Sequence, residues 1–180
     1  MQLVKKIFLF LLVLVGIALI TALFVKKEYT VVREVSINKP RQQVFNYLRL
    51  LKNQDNFSKW AGMDPEMQKN YRGTDGTVGF VSAWKSEKKD VGSGEQEIKK
   101  ITEGKRLDYE LRFKEPWEST SNAYLATNAV DSSKTNVTWG FEGKMPYPMN
   151  LMCLFMDMDD MIGKDLATGL NNLKGIMEKQ

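Results

Sequence analysis

Acid–base chemistry in this 180-residue sequence would have to run on carboxylates, because the chain contains no histidine. Histidine is the commonest general acid or base, the commonest zinc ligand and the usual partner of a nucleophilic Ser or Cys. Its absence removes all of those constellations together. The one cysteine, Cys153, has no intramolecular partner and stands among Leu151, Met152, Leu154 and Phe155, where a small hydrophobe fits. Asp157, Asp159 and Asp160 cluster, but the run lacks the glycine and distal glutamate of a calcium loop. With Asp160 four residues before Lys164, it reads as a solvated helix face. No catalytic, metal or cofactor site is assigned. An enzyme would be left with Glu110, Glu115 and Glu118 beside Tyr109, one carboxyl lifted toward neutral pH by burial.

Binding chemistry is better represented. Phe80, Trp84, Tyr109, Phe113, Trp139 and Phe141 fall at alternating positions of apolar runs and would share one face of a sheet. They are either ordinary core or the lining of a pocket, in which Trp and Tyr add a polar handle to a large apolar body. A second set is Met145, Met149, Met152 and Met156, continued by Met158 and Met161. Methionine is flexible and polarizable, so the set either fills an irregular core or offers a soft surface to varied apolar ligands. From Met149 onward the spacing is helical and separate from the main apolar stripe. That second face exceeds what packing on a sheet requires; a cavity or a membrane contact would explain it.

The elements that position these residues follow from the periodicities. Thr30 to Ile37 is rich in β-branched residues and reads as a strand. Asn38-Lys39-Pro40 opens a helix over Arg41 to Leu51, with Val44, Phe45, Leu48 and Leu51 on one face, and a short helical stretch follows from Asn53 to Trp60. Turn signals at Asp64-Pro65, Arg72-Gly73 and Asp75-Gly76 lead into a meander of about six strands. Its clearest member alternates Leu107, Tyr109, Leu111 and Phe113 with Asp108, Glu110 and Arg112, the mark of a sheet with one buried and one wet face. Ser119 to Val130 and Thr135 to Met145 complete it, and Asn150 to Lys179 reads as one long helix with its stripe running from Leu151 to Met177. Segregated strands and helices predict an α+β fold with the last helix on one sheet face.

Residues 7–25 are uncharged and apolar, and nineteen residues at about 1.5 Å each span roughly 28 Å, close to a bilayer core. The run exceeds a signal-peptide core and lacks a small-residue cleavage site before Lys26 and Lys27, so it reads as a single-pass anchor, with a cleaved signal as the competing reading. This divides the chain into an anchor, 1–27, and one domain, 28–180. Residues 1–27 carry four lysines and no acid, leaving 22 residues of each sign in the domain. A neutral domain gives no basic face for nucleic acid. Two lysines on each flank nearly balance the positive-inside bias, and the α-amino group tips it toward an exported domain.

Several segments resemble the START-like superfamily, also called SRPBCC, and within it the polyketide cyclase/dehydrase and lipid-transport group, including a membrane-anchored branch. They are VSINKPRQQVFNYL (35–48), GSGEQEI (92–98), LDYELRFKEPWES (107–119) and the stretch from Thr135 to Ile176. The resemblance implies a helix-grip architecture: a curved antiparallel sheet holding the C-terminal helix around an apolar cavity. It carries no universal catalytic motif. Two functions of different class follow, a non-catalytic carrier of a hydrophobic small molecule or lipid, and a cyclase or dehydrase using the carboxylates above. A ligand-free envelope interaction protein is the third. No protein partner is identified.

Overall fold

The computed structural model describes residues 2–180. Helix α1 (Gln2–Phe24) is apolar from Ile7 onward apart from Thr21, and of its residues only Ala22 is buried against the rest of the chain. Strand β1 (Glu28–Ile37) begins four residues later and leads into α2 (Arg41–Arg49), whose Val44, Phe45 and Leu48 are buried. The stretch expected as one more helix is divided. A 3-10 helix covers Leu51–Asn56 and a short α3 covers Lys59–Met63. The Asp75 carboxylate accepts the Leu51 amide at 2.8 Å, satisfying one of the donors a helix start leaves free.

Six strands follow: β2 (Gln68–Arg72), β3 (Val81–Lys85), β4 (Ser93–Thr102), β5 (Arg106–Glu115), β6 (Ser119–Ala129) and β7 (Thr135–Lys144). β2 lies where the sequence offered only turn signals, and it forms an edge with four of its five residues exposed. β3 starts three residues later than the alternation from Val78 suggests. Gly79, at φ +88°, turns the chain there, a conformation that side-chain-bearing residues avoid. All seven strands join one antiparallel sheet in the order β1-β7-β6-β5-β4-β3-β2.

The final helical stretch is also interrupted. A 3-10 helix spans Met149–Leu154, and α4 proper runs over Met158–Lys179. Asp157 caps α4, its carboxylate accepting the Asp160 amide at 2.9 Å. The N-cap therefore overrides an apolar period that continues unbroken through Phe155.

α4 lies on the concave face beside β1. Arg33 of β1 grips its first turn, donating to both carboxylate oxygens of Asp159 at 2.9 and 2.8 Å. The guanidinium passes so close to the helix backbone that a Cβ at Gly163 would fall 2.0 Å from its Nη2. At the other end, Glu178 accepts the Asn38 amide at 2.8 Å. Between these ties Leu166, Leu170, Leu173 and Met177 are buried against Ile37, Leu107, Leu125 and Val137.

Candidate functional site

The sheet and α4 do not close on each other everywhere. Toward the start of α4 they enclose a cavity of about 340 Å³, roughly ten water volumes at about 30 Å³ each and within the range of small-molecule sites. Ile162 and Leu166 of α4 cover it from above, and Leu111, Ala123, Trp139 and Phe141 form part of the sheet side. Trp60 and Ala61 of α3, with Leu51 and Gln54 of the preceding 3-10 helix, close one flank.

Two glycines set its shape. At Gly94 a Cβ would lie 2.8 Å from the Trp84 ring, so the missing side chain lets the indole lie flat across β4. There Trp84 meets Phe113 edge-on, centroids 6.0 Å apart at 79°. At Gly169 a Cβ would come within 2.7 Å of the Trp139 ring. Trp139 thus rises to touch α4 and meets Phe57 at 5.7 Å and Trp60 at 6.4 Å, both edge-on.

The lining carries a small polar group. Ser82 and Gln96 are cross-strand partners in the β3–β4 register, both face inward and both are buried. Gln96 donates from Nε2 to Gln54 Oε1 at 3.2 Å. At the flank, Lys69 pairs with Asp55 at 2.7 Å. The arrangement is an apolar chamber with one hydrogen-bonding corner, the usual division between affinity and orientation in a ligand site.

Of the ten residues expected to line a site, Trp84, Phe113, Trp139 and Phe141 border the cavity. Phe80 and Tyr109 belong to solid core and do not. Met145, Met149, Met152 and Met156 lie away from the chamber, in and around the 3-10 helix before α4. There Met149 and Met152 are exposed, and Met145 Sδ lies 3.5 Å from Cys153 Sγ. Methionine spacing signals an apolar face without saying what it meets. The polar corner went unread, although Ser82 and Gln96 interrupt the inward apolar positions of two strands and were its one sequence signal.

The carboxylates of the enzyme reading are dispersed. Glu110 lies on the outer face, paired with Arg112 and Lys99. Glu118 is exposed and does not border the chamber, and Glu115 is exposed at its lip. Tyr109 is buried with no hydrogen-bond partner for its hydroxyl, and burial pushes its pKa up, away from proton transfer near neutrality.

No family model matches the chain, and no curated protein matches it. Solved structures do. Protein MLL2253 from Mesorhizobium loti superposes with a TM-score of 0.60 at 13% identity, over 84% of this chain and 98% of that one. Ara h 8.0201 gives 0.57 at 13% identity over 85% and 99%, and the Aha1 dimer from Colwellia psychrerythraea gives 0.57 at 13% over 83% and 96%. The fold is the helix grip. At these identities the likeness is one of architecture, the Bet v 1-like form of an antiparallel sheet wrapped on a C-terminal helix. In this helix grip the chamber lies under the first half of the gripping helix.

Proposed function

We propose that the chain is a membrane-anchored helix-grip domain that holds a hydrophobic small molecule or lipid without transforming it. The observation that carries this reading is the chamber of about 340 Å³ lined by Trp84, Phe113, Phe141 and Ile162. A chamber this large with a mouth leaves apolar wall facing water, a hydrophobic cost that a bound apolar body would offset. The Ser82–Gln96 corner favours a ligand with one hydrogen-bonding end.

A membrane span for α1 is supported by its length and apolar composition, and its retention by its attachment to the domain. Asn150, fully buried, donates from Nδ2 to the carbonyl oxygens of Ala22 at 2.7 Å and Val25 at 2.9 Å. Met145 N donates to Lys27 O at 2.8 Å. Cleavage after residue 25 would remove both acceptors of this amide.

Native mass spectrometry of the detergent-purified full chain, followed by organic extraction, tests both parts. The expected spectrum has the intact mass, including residues 1–27, with an apolar adduct that extraction recovers. A chain with no adduct, or one that takes up no added fatty acid, overturns the carrier reading. A mass lacking the first residues overturns the anchor.

A further inference from the structure

The strand register decides which way the chamber opens relative to α1. Glu28, just after α1, pairs with Lys144 at the end of β7. Going across the sheet, Glu142 pairs with Asn122 near the start of β6, and Ser119 at its very start pairs with Phe113. Glu115 pairs with Ser93, and Ser93 with Lys85. These residues mark one rim of the sheet. The β5–β6 connection, with Trp117, and the β3–β4 connection, residues 86–92, therefore project from the rim at which α1 joins. The lining residues that are themselves exposed are Lys89, Asp90, Glu115 and Pro116, all from these two connections or the strand end beside them. The mouth of the chamber and the end of α1 share a rim.

The same rim carries large apolar side chains that none of the described residues covers. Phe155 is 86% exposed and Trp117 80% exposed, and Leu154, Met149 and Met152 are exposed beside the end of α1. The Asn150 and Met145 hydrogen bonds tie this segment to the end of α1, so the pose of the rim against the helix is set by the fold rather than by a loose tether.

We propose that this rim lies on the bilayer, with Phe155, Leu154 and Trp117 in the headgroup region and the chamber mouth opening onto lipid. Cargo then passes between bilayer and chamber without crossing bulk water. This rests on the reading of α1 as a retained anchor and of the chamber as its cargo site. Aromatic side chains favour the membrane–water boundary, where an apolar ring and a polar edge are both satisfied. Exposed charges around the mouth balance, Lys85, Lys88, Lys89 and Lys114 against Glu87, Asp90, Glu115 and Glu118, and Lys144 is paired with Glu28. Apolar insertion rather than attraction to anionic headgroups holds the rim, and zwitterionic phosphatidylcholine, with no net charge, suffices.

The test uses the full chain carrying Cys153→Ser, reconstituted in phosphatidylcholine vesicles. Single nitroxide labels are placed at Trp117→Cys, Phe155→Cys or, on the opposite rim, Ser132→Cys. Collision with oxygen and with a water-soluble nickel chelate reads depth. The first two labels are expected to favour oxygen and the third the chelate. Labels at Trp117→Cys and Phe155→Cys as wet as the one at Ser132→Cys overturn the proposal, and spin coupling between copies assigns the rim to a second chain and overturns it equally. A chain washed from the vesicles by carbonate defeats the anchor reading and this inference together. Wet rim labels on a chain that stays in the membrane and keeps its adduct defeat this inference alone. A second measurement is transfer of parinaric acid from donor vesicles. In Trp117→Ser/Phe155→Ser its rate is expected to fall severalfold with adduct retention in native spectra unchanged; an unchanged rate overturns direct passage.

Discussion

Leu173 and Met177, late in α4, are fully buried against the sheet, while Ile162, roughly three turns earlier on the same helix, borders an open chamber of about 340 Å³. Both regions use apolar residues from one helix and one sheet face. The difference lies in what stands opposite. At the far rim α2 adds Val44, Phe45 and Leu48 as a further layer over the concave face, and the space is filled. At the rim where α1 joins, that flank is closed by the 3-10 helix, of which only Leu51 is buried, and by α3, five residues long and with none buried. Solid packing is therefore a property of one half of this domain, and the other half is arranged around a volume.

The sharpest way to break this contrast is truncation in each half. Leu173→Ala is expected to destabilise by about 2–5 kcal/mol, because a filled site cannot collapse fully around the loss. Ile162→Ala, beside space that already exists, is expected to cost about 1 kcal/mol. Urea unfolding of both variants decides, and equal losses would mean the chamber closes in solution. Next in size is filling the void. Ala123 is buried and borders the chamber. Ala123→Leu is expected to keep the unfolding midpoint while lowering fatty-acid adduct formation roughly tenfold, about 1.4 kcal/mol. A destabilised variant with intact binding would place the ligand elsewhere.

The smallest effect concerns the outer face. Arg72 and Arg112 hold the Glu95 carboxyl below the usual carboxylate range, and Arg112 and Lys99 do the same for Glu97. Carboxyls depressed in the folded state contribute stability above their unfolded pKa of about 4.3 and lose it as pH falls through the folded value. The urea midpoint is therefore expected to decline slightly below about pH 4.3. Arg112→Met should be less stable near pH 7 and should lose less on acidification, since Glu95 and Glu97 are then no longer held low by the guanidinium. Parallel pH profiles for the two proteins would remove these pairs from the account.

Much of the fold was legible because it is written in local periods. Alternation along β5 through Leu107, Tyr109, Leu111 and Phe113 places those residues on one face, and on it Leu107 and Tyr109 are buried while Leu111 and Phe113 border the chamber. The break before α4 was also present, in Asp157 as a cap three residues ahead of Asp160, but a continuous apolar spacing through Phe155 concealed it. β2 was missed because an exposed edge strand lacks the alternation that burial imposes.

From the sequence alone follow the uncharged 19-residue run after Lys6, the coarse order of a strand, helices, a strand meander and a final helix from residue 28 onward, and the absence of histidine chemistry. Each depends only on neighbours in the chain or on composition. Which aromatics border the chamber, and which rim it shares with α1, depends on sheet register, on the close approaches that Gly94 and Gly169 allow, and on where α2 ends. Periodicity says which way a side chain points. Whether anything stands opposite it is decided by residues far away in the chain, 126 positions for Arg33 and Asp159, and only tertiary structure brings those together.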